Sequence, residues 1–423
     1  MRGRAGTAGF ALVVALLAAS ACTGSGATPP APGPTRDGST GFVPGPNGDG
    51  TTGFVPGPNG DGSTGLVPGP DRDGTTRFVE VTLPAAAPKV LRDAVRCGKR
   101  WWVVGALQAA GGDPRPAAWD SADGRTWHSV TIVPHPGSFY GPRNVLYSVA
   151  CANGRVAAIG AQSGGAHGNP RTSTWYQRPD GALAEVPAPF ELYGGDEAVD
   201  VGRIAGGPGG FLIAGNRTSG PAAWLSRDGT RFVRYEVGEK GALARDGAVL
   251  DGRYVLIGAA APASGQGAGG AVWESADGRR WARSSVEAVE LQRLTTFRGD
   301  LIAVGQRGDA FAAWQRVGGK WPALGGGESR GSEWSGSESS GGRTQTGGEG
   351  SAGGFGRATP TGVRSLTVAA GSLVASADRV WSSSDGGSWA ELAVPAGPIA
   401  VAGSDDALLL IGADRAWLAR RAP

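Results

Sequence analysis

Two stretches of the chain gather side chains that could grip a ligand. TIVPHPGSFYGPRN, residues 131–144, carries His135, Phe139, Tyr140 and Arg143, and VPAPFELYGGDEAVD, residues 186–200, carries Phe190, Glu191, Tyr193, Asp196 and Glu197. Aromatic rings beside both charge signs can cover a ring-shaped ligand and fix its polar groups. Tyr140, Arg143, Tyr193 and Asp196 are therefore the expected ligand-binding set, with a surface protein or a glycan as the expected partner; loops that only cap the fold are the alternative. Three His and three Cys in 423 residues leave little for metal or nucleophile chemistry, so neither a metal nor a cofactor is expected. The net charge is +3 and the basic residues are scattered, so nucleic acid is excluded as a partner.

The elements that must hold these loops follow from an internal repeat. Apolar runs ending in Gly or Ala recur at Gly105, Gly160, Gly215, Gly258, Gly305, Ala377 and Gly412. A Trp follows each: Trp119, Trp175, Trp224, Trp273, Trp314, Trp381 and Trp417. Ahead of most runs lies a further apolar segment, such as LRDAV or LYSVA, joined by a turn that suits a hairpin. With 76 Gly and 29 Pro, about a quarter of the chain, long helices are unfavourable. The pattern predicts an all-β chain of seven four-stranded units, their strands here called a to d, with the Trp series packed between sheets.

After strand c, four units continue SADGRTW (121–127), SRDGTRF (226–232), SADGRRW (275–281) and SSDGGSW (383–389). These resemble the Asp box of bacterial neuraminidase repeats, one residue shorter between Asp and aromatic. The resemblance implies a β-propeller in which Ser and Asp bond turn amides, Gly takes a positive φ and the aromatic packs beneath. It also implies a second reading, a sialidase-like glycoside hydrolase with Tyr193, Glu191, Asp196 and Arg143 as its residue types. The Arg-Ile-Pro signature of that family is absent, and a binding scaffold is the first expectation.

Closure is legible at the ends. The seventh unit stops at strand c with Trp417, while RFVEVTLP, residues 77–84, has an outer-strand pattern and no unit of its own. The expected fold is a seven-bladed β-propeller, residues 77–423, closed by its N-terminal outer strand, about 45 residues per blade and monomeric. Residues 325–360, rich in Gly and Ser, are expected as a disordered insertion between blades five and six, with Trp334 and Phe355 as possible anchors for a partner.

Residues 1–21 combine Arg2 and Arg4, an apolar stretch from Phe10 to Ala19, and small residues before Cys22, the layout of a secretory signal. The junction Ala19-Ser20-Ala21-Cys22 resembles a bacterial lipoprotein lipobox, with Ala19 where that family usually has Leu. The resemblance implies a lipidated Cys22, an exported chain and attachment to the membrane through acyl chains, at the outer face of the bacterial cytoplasmic membrane. Residues 22–76 then form a tether in which Asp37, Asp49, Asp61 and Asp73 mark a 12-residue repeat too poor in apolar groups to fold; as a coil it spans roughly 40 Å. With Cys22 taken, Cys97 and Cys151 remain, either as a disulfide between blades one and two or as two buried thiols.

Overall fold

The computed structural model describes residues 76–108, 112–164, 170–262, 269–325, 354–395 and 397–421. Residues 1–75, with Cys22 and the tether up to its last residue, and residues 326–353 of the insertion, with Trp334, lie outside the described residues.

Seven sheets, antiparallel except for one parallel edge strand in the second, form a β-propeller. Blade one consists of Lys89–Cys97, Arg100–Gln108, Pro114–Ser121 and His128–Ser129; blade two of Val145–Ala152, Arg155–Ser163, Pro170–Gln177 and Leu183–Glu185; blade three of Ala198–Gly207, Gly210–Arg217, Gly220–Ser226 and Val233–Glu236. Blade four runs Leu243–Leu250, Arg253–Ala259, Gly270–Ser275 and Ala282–Val286, and blade five Glu290–Phe297, Asp300–Arg307, Ala310–Gln315 and Gly354–Arg357. Blade six is Ser365–Ala369, Ser372–Ser376, Val380–Ser383 and Ala390–Leu392. Blade seven takes Ala400–Gly403, Ala407–Ile411 and Ala416–Arg420 from the C-terminal end and Val79–Val81 from the N-terminal end, with Val79 opposite Leu418 and Val81 opposite Ala416.

The recurring Gly of strand b has a steric cause. Strand a carries a β-bulge near its start in blades one to five, and the bulged backbone is driven onto the neighbouring strand. A Cβ on Gly105, Gly258 or Gly305 would land on the carbonyl oxygen of Val90, Leu243 or Glu290. In blades six and seven strand a pairs without a shift; there the repeat has Ala377 and Gly412, and a Cβ on Gly412 would meet the Trp417 ring first.

The strand c Trp residues pack between blades as expected, and five of them, Trp119, Trp175, Trp224, Trp273 and Trp314, are almost wholly buried. In four of these, all but Trp314, the indole N–H does a second job that packing alone does not reveal. Trp119 donates to the Pro84 carbonyl (2.7 Å), Trp175 to Asn144 Oδ1 (3.3 Å), Trp224 to the Leu192 carbonyl (2.6 Å) and Trp273 to Glu239 Oε2 (3.0 Å). Each partner lies in the segment leading into the Trp's own blade, so each indole pins one connection on the face where d-to-a loops emerge.

On the opposite face the four Ser-x-Asp-Gly turns share the Gly N–H to Ser Oγ bond, and the three that end in Trp share the full geometry. In the first, Ser121 Oγ accepts from Gly124 N–H (2.8 Å), Asp123 Oδ1 accepts from Arg125 and Thr126 N–H (2.8 Å each), and Trp127 Nε1 donates to the Gly124 carbonyl (2.9 Å). The amides at Thr126 and then Arg125 hold the Asp123 carboxyl down at about 2.

Two expectations need correction. The stretch read as a disordered insertion between blades five and six lies within blade five, between its strands c and d. Its last part, Gly354–Arg357, is the outer strand, pairing Phe311 with Phe355, and Phe355 is buried against Phe311 and stacked on Trp389 (centroids 4.2 Å apart). A buried Phe355 anchors the blade and not a partner. The second correction concerns WHSVTI, residues 127–132, whose alternation after the first Ser-x-Asp-Gly turn predicts a single outer strand of blade one. It divides: His128–Ser129 stays in blade one, while Ile132–Val133 crosses over and pairs in parallel with Leu183–Ala184, giving blade two a fifth strand.

Cys97 and Cys151 are joined, with Cα atoms 5.3 Å apart. The surroundings VRCGKRWWVVG and VACANGRVAAIG predict equivalent places for the two, which the strand pairing corrects. Cys97 pairs with Arg100, the last pair of its hairpin, while Ala152 and not Cys151 holds that place in blade two. The offset is what lets them meet. Like-oriented sheets point equivalent side chains the same way around the ring, so a one-residue shift is needed to turn the second sulfur back toward the first.

Candidate functional site

The crossing strand builds the site. Ile132–Val133 edges blade two and delivers His135–Tyr140 over the end of its fourth strand, where Glu185 is buried among apolar neighbours. Glu185 accepts from the Ser138 hydroxyl (2.8 Å), the Ser173 hydroxyl (2.8 Å) and the His135 main-chain N–H (2.9 Å). Three neutral donors thus solvate a buried carboxylate that has no cation within ion-pair reach among the described residues. Gly141 is required here, because a Cβ would strike the Glu185 carboxylate.

Above Glu185 opens a cleft of about 370 Å³, walled by the two loops singled out in the sequence and by the start of Pro170–Gln177. Tyr140 and Phe190 face each other across it with the Arg171 guanidinium between, 6.0 Å from the Tyr140 centroid and 4.9 Å from that of Phe190. Phe139 and Phe190 are 65% and 53% exposed, so apolar rings stand in solvent at the rim. Beneath them the loops are tied down. Asn144 Nδ2 donates to the Tyr140 carbonyl (3.0 Å) while Trp175 holds its oxygen. In the second loop the short helix Phe190–Tyr193 is held through the carbonyls of Glu191 by Arg234 (2.6 Å), Leu192 by Trp224 (2.6 Å) and Gly194 by Arg217 (2.8 Å).

Of the four expected ligand residues, Tyr140 and Tyr193 line this cleft. Tyr193 is buried, its phenol within hydrogen-bond distance of Thr174 Oγ1 (3.2 Å), and burial pushes its pKa up, so it is a wall and not an ionisable group. Arg143 lies outside, paired with Asp113 (2.7 Å) and lying 4.5 Å over the Phe139 ring; it orients Phe139. Asp196 is exposed and does not line the cleft. Glu191 is likewise exposed. Glu185 and Arg171 were not singled out in the sequence. The available signal for the first is a carboxylate inside the otherwise apolar run Leu183–Val186, a buried acid in need of donors.

The second cavity, about 290 Å³, lies among the innermost strands of the ring. At the position just past the bulge stand Asp93, Ser148, Arg203, Asp246 and Arg293, and at the matching place in blades six and seven Ser365 and Ala400. Where this residue can accept, it takes an amide of the next blade. Asp93 takes Val149 N–H (3.0 Å), Ser148 takes Ile204 N–H (3.2 Å), Asp246 takes Leu294 N–H (3.0 Å) and Ser365 takes Val401 N–H (3.2 Å). Arg203 donates to Asp93 (3.2 Å). Burial works against the charge on Arg203, yet Asp93 and Asp246 hold its pKa above the ordinary value; Arg293, desolvated and facing Arg203, falls to about 10. Only two arginines share this ring position, and the polar groups there stitch blades together.

No protein-family model and no curated protein matches this sequence. Solved structures do. A virginiamycin B lyase from Staphylococcus aureus superposes with a TM-score of 0.53 at 12% identity, covering 82% of this chain and 99% of that one. The β-propeller domain of the Trilobed protease from Pyrococcus furiosus gives a TM-score of 0.49 at 7% identity, covering 79% of this chain and 96% of that domain. The likeness is one of fold.

Proposed function

We propose that this chain is an exported lipoprotein whose propeller presents the blade-two cleft to a ligand, either a surface glycan or a segment of a surface protein. The observation that carries the binding reading is the contrast within the cleft: solvent-exposed aromatic rims stand on loops that the frame pins by hydrogen bonds. Such preorganisation limits the ordering cost of binding. The hydrolase reading brought by the Asp-box resemblance is not favoured. A sialidase-like hydrolase works with a Tyr nucleophile and a separate acid, whereas Tyr193 is buried against Thr174, Glu191 and Asp196 do not line the cleft, and Glu185, the one carboxylate among the described cleft residues, has its oxygens taken up by three donors.

Phe190→Ala and Tyr140→Ala in the exported chain should each weaken capture of cell-surface glycans or proteins about tenfold or more, as expected for aromatic anchors, with unchanged melting. Undiminished capture by both variants would move the site elsewhere.

Attachment rests on the sequence features at Cys22. No helix among the described residues is long and apolar enough to cross a membrane, and acyl chains contribute about 0.8 kcal/mol per buried CH₂, so two or three on Cys22 suffice for stable attachment. Cys22→Ala should shift the protein from the membrane fraction to the soluble one; equal membrane retention would refute the anchor.

A further inference from the structure

The cleft leaves one group unused. The Arg171 side chain makes no hydrogen bond and no ion pair with any other described residue; its guanidinium lies near two rings, Phe190 (4.9 Å) and Tyr140 (6.0 Å). The contrast with the other arginines around it is informative. Arg143 is paired with Asp113, Arg217 with Glu197 and Arg234 with Glu236. The carboxylate that shares the cleft with Arg171 is Glu185, and Glu185 is satisfied by Ser138, Ser173 and the His135 amide. A guanidinium flanked by two rings and without a protein acceptor has its N–H groups left for what enters the cleft.

We infer that the cleft recognises a ligand bearing an oxyanion, a phosphate, sulfate or carboxylate group, that accepts the planar N–H fork of Arg171 while the body of the ligand rests against the exposed rims of Phe190 and Phe139. This rests on the cleft being the binding site and adds the chemical class of what enters it. Three features converge. Two rings flank Arg171 before binding, which narrows the side-chain freedom it must lose. The cation has no counter-ion among the described residues, so a ligand anion replaces water and not another carboxylate. Glu185 is kept back in the floor, 8% exposed, with its lone pairs engaged, so the accessible charge of the cleft is that of Arg171. An uncharged sugar would leave the fork facing water, and a cationic ligand would meet like charge.

The test titrates the full exported chain with glucose 6-phosphate, glucose 6-sulfate, glucuronate and glucose, in parallel with Arg171→Lys, Arg171→Gln and Phe190→Ala, each checked for an unchanged melting temperature. At least one anionic probe should bind ten times or more tighter than glucose, and the ranking of the three identifies the anion. Arg171→Lys, which keeps charge and loses the fork, should weaken that probe about tenfold, and Arg171→Gln should abolish the preference for it. Raised salt should weaken the anionic probe and not glucose. If glucose and the anions bind alike, with Phe190→Ala abolishing all binding and Arg171→Gln changing nothing, the cleft is a site but not an oxyanion site. If no probe binds any of the proteins, both the ligand class and the cleft reading fall.

Discussion

Deleting residues 77–84 is expected to destabilise the whole ring by several kcal/mol, while deleting residues 23–70 leaves its melting temperature unchanged. The small segment has a large effect because three kinds of contact leave with it. Val79–Val81 supplies the outer strand of blade seven, opposite Leu418, Trp417 and Ala416, and without it strand c becomes an open edge. Val81 and Leu83 are buried in the cluster that holds Trp119, Leu409 and Leu418 between blades seven and one; two such side chains contribute about 1.5–3 kcal/mol each. Pro84 contributes the carbonyl that receives the Trp119 indole (2.7 Å), and an orphaned buried donor costs about 1–3 kcal/mol. Against a total domain stability of about 5–15 kcal/mol, these losses leave the ring marginal. Thermal melts of the two truncations decide it; equal melting temperatures would refute closure by this strand.

The framework was readable because each blade repeats a physical requirement. In blades one to five the Gly of strand b faces a bulge in strand a, and the Trp of strand c fills the gap between sheets, so both recur with the blade. What the sequence hid are features without a period. The outer strand of blade five is Gly-Phe-Gly-Arg at the end of a Gly- and Ser-rich stretch, and composition masks a strand in which Phe355 alone signals burial. The axial stitching by Asp93, Ser148, Asp246 and Ser365 is disguised by the bulge, which breaks the alternation just before it, and by the change of residue from blade to blade.

The cleft shows both outcomes in one place. Its two loops stood out by composition, and Tyr140 and Tyr193 do line it. Arg143 was misplaced because pairing with Asp113 joins residues 30 apart, and Arg171 and Glu185 were missed because they sit at strand ends, where only the crossing of Ile132–Val133 into blade two brings them under the loops. That crossing depends on a parallel pairing between segments some fifty residues apart, which local pattern does not encode.

Replacing Cys97 and Cys151 together by Ser, or reducing them, is the second change expected to cost several kcal/mol. The bond links residues 54 apart, and on the chain-entropy view removing a cross-link across a loop of that length releases about 4 kcal/mol of disorder in the unfolded chain. Its place makes the effect more than general. Both cysteines sit at the end of strand a nearest the a-to-b turns, in the apolar cluster between blades one and two, and the cleft sits over the far face of blade two, roofed by the chain that passes from blade one into it. The bond therefore closes one end of the same gap that Ile132–Val133 bridges at its outer edge. Denaturant unfolding of the Cys22→Ala chain, oxidised and reduced, should show a midpoint lowered on reduction with an unfolding slope affected mainly through the unfolded state. Thiol titration of that chain unfolded without reductant should find no reactive group. Two reactive thiols, or identical midpoints, would mean that blades one and two are held by packing alone.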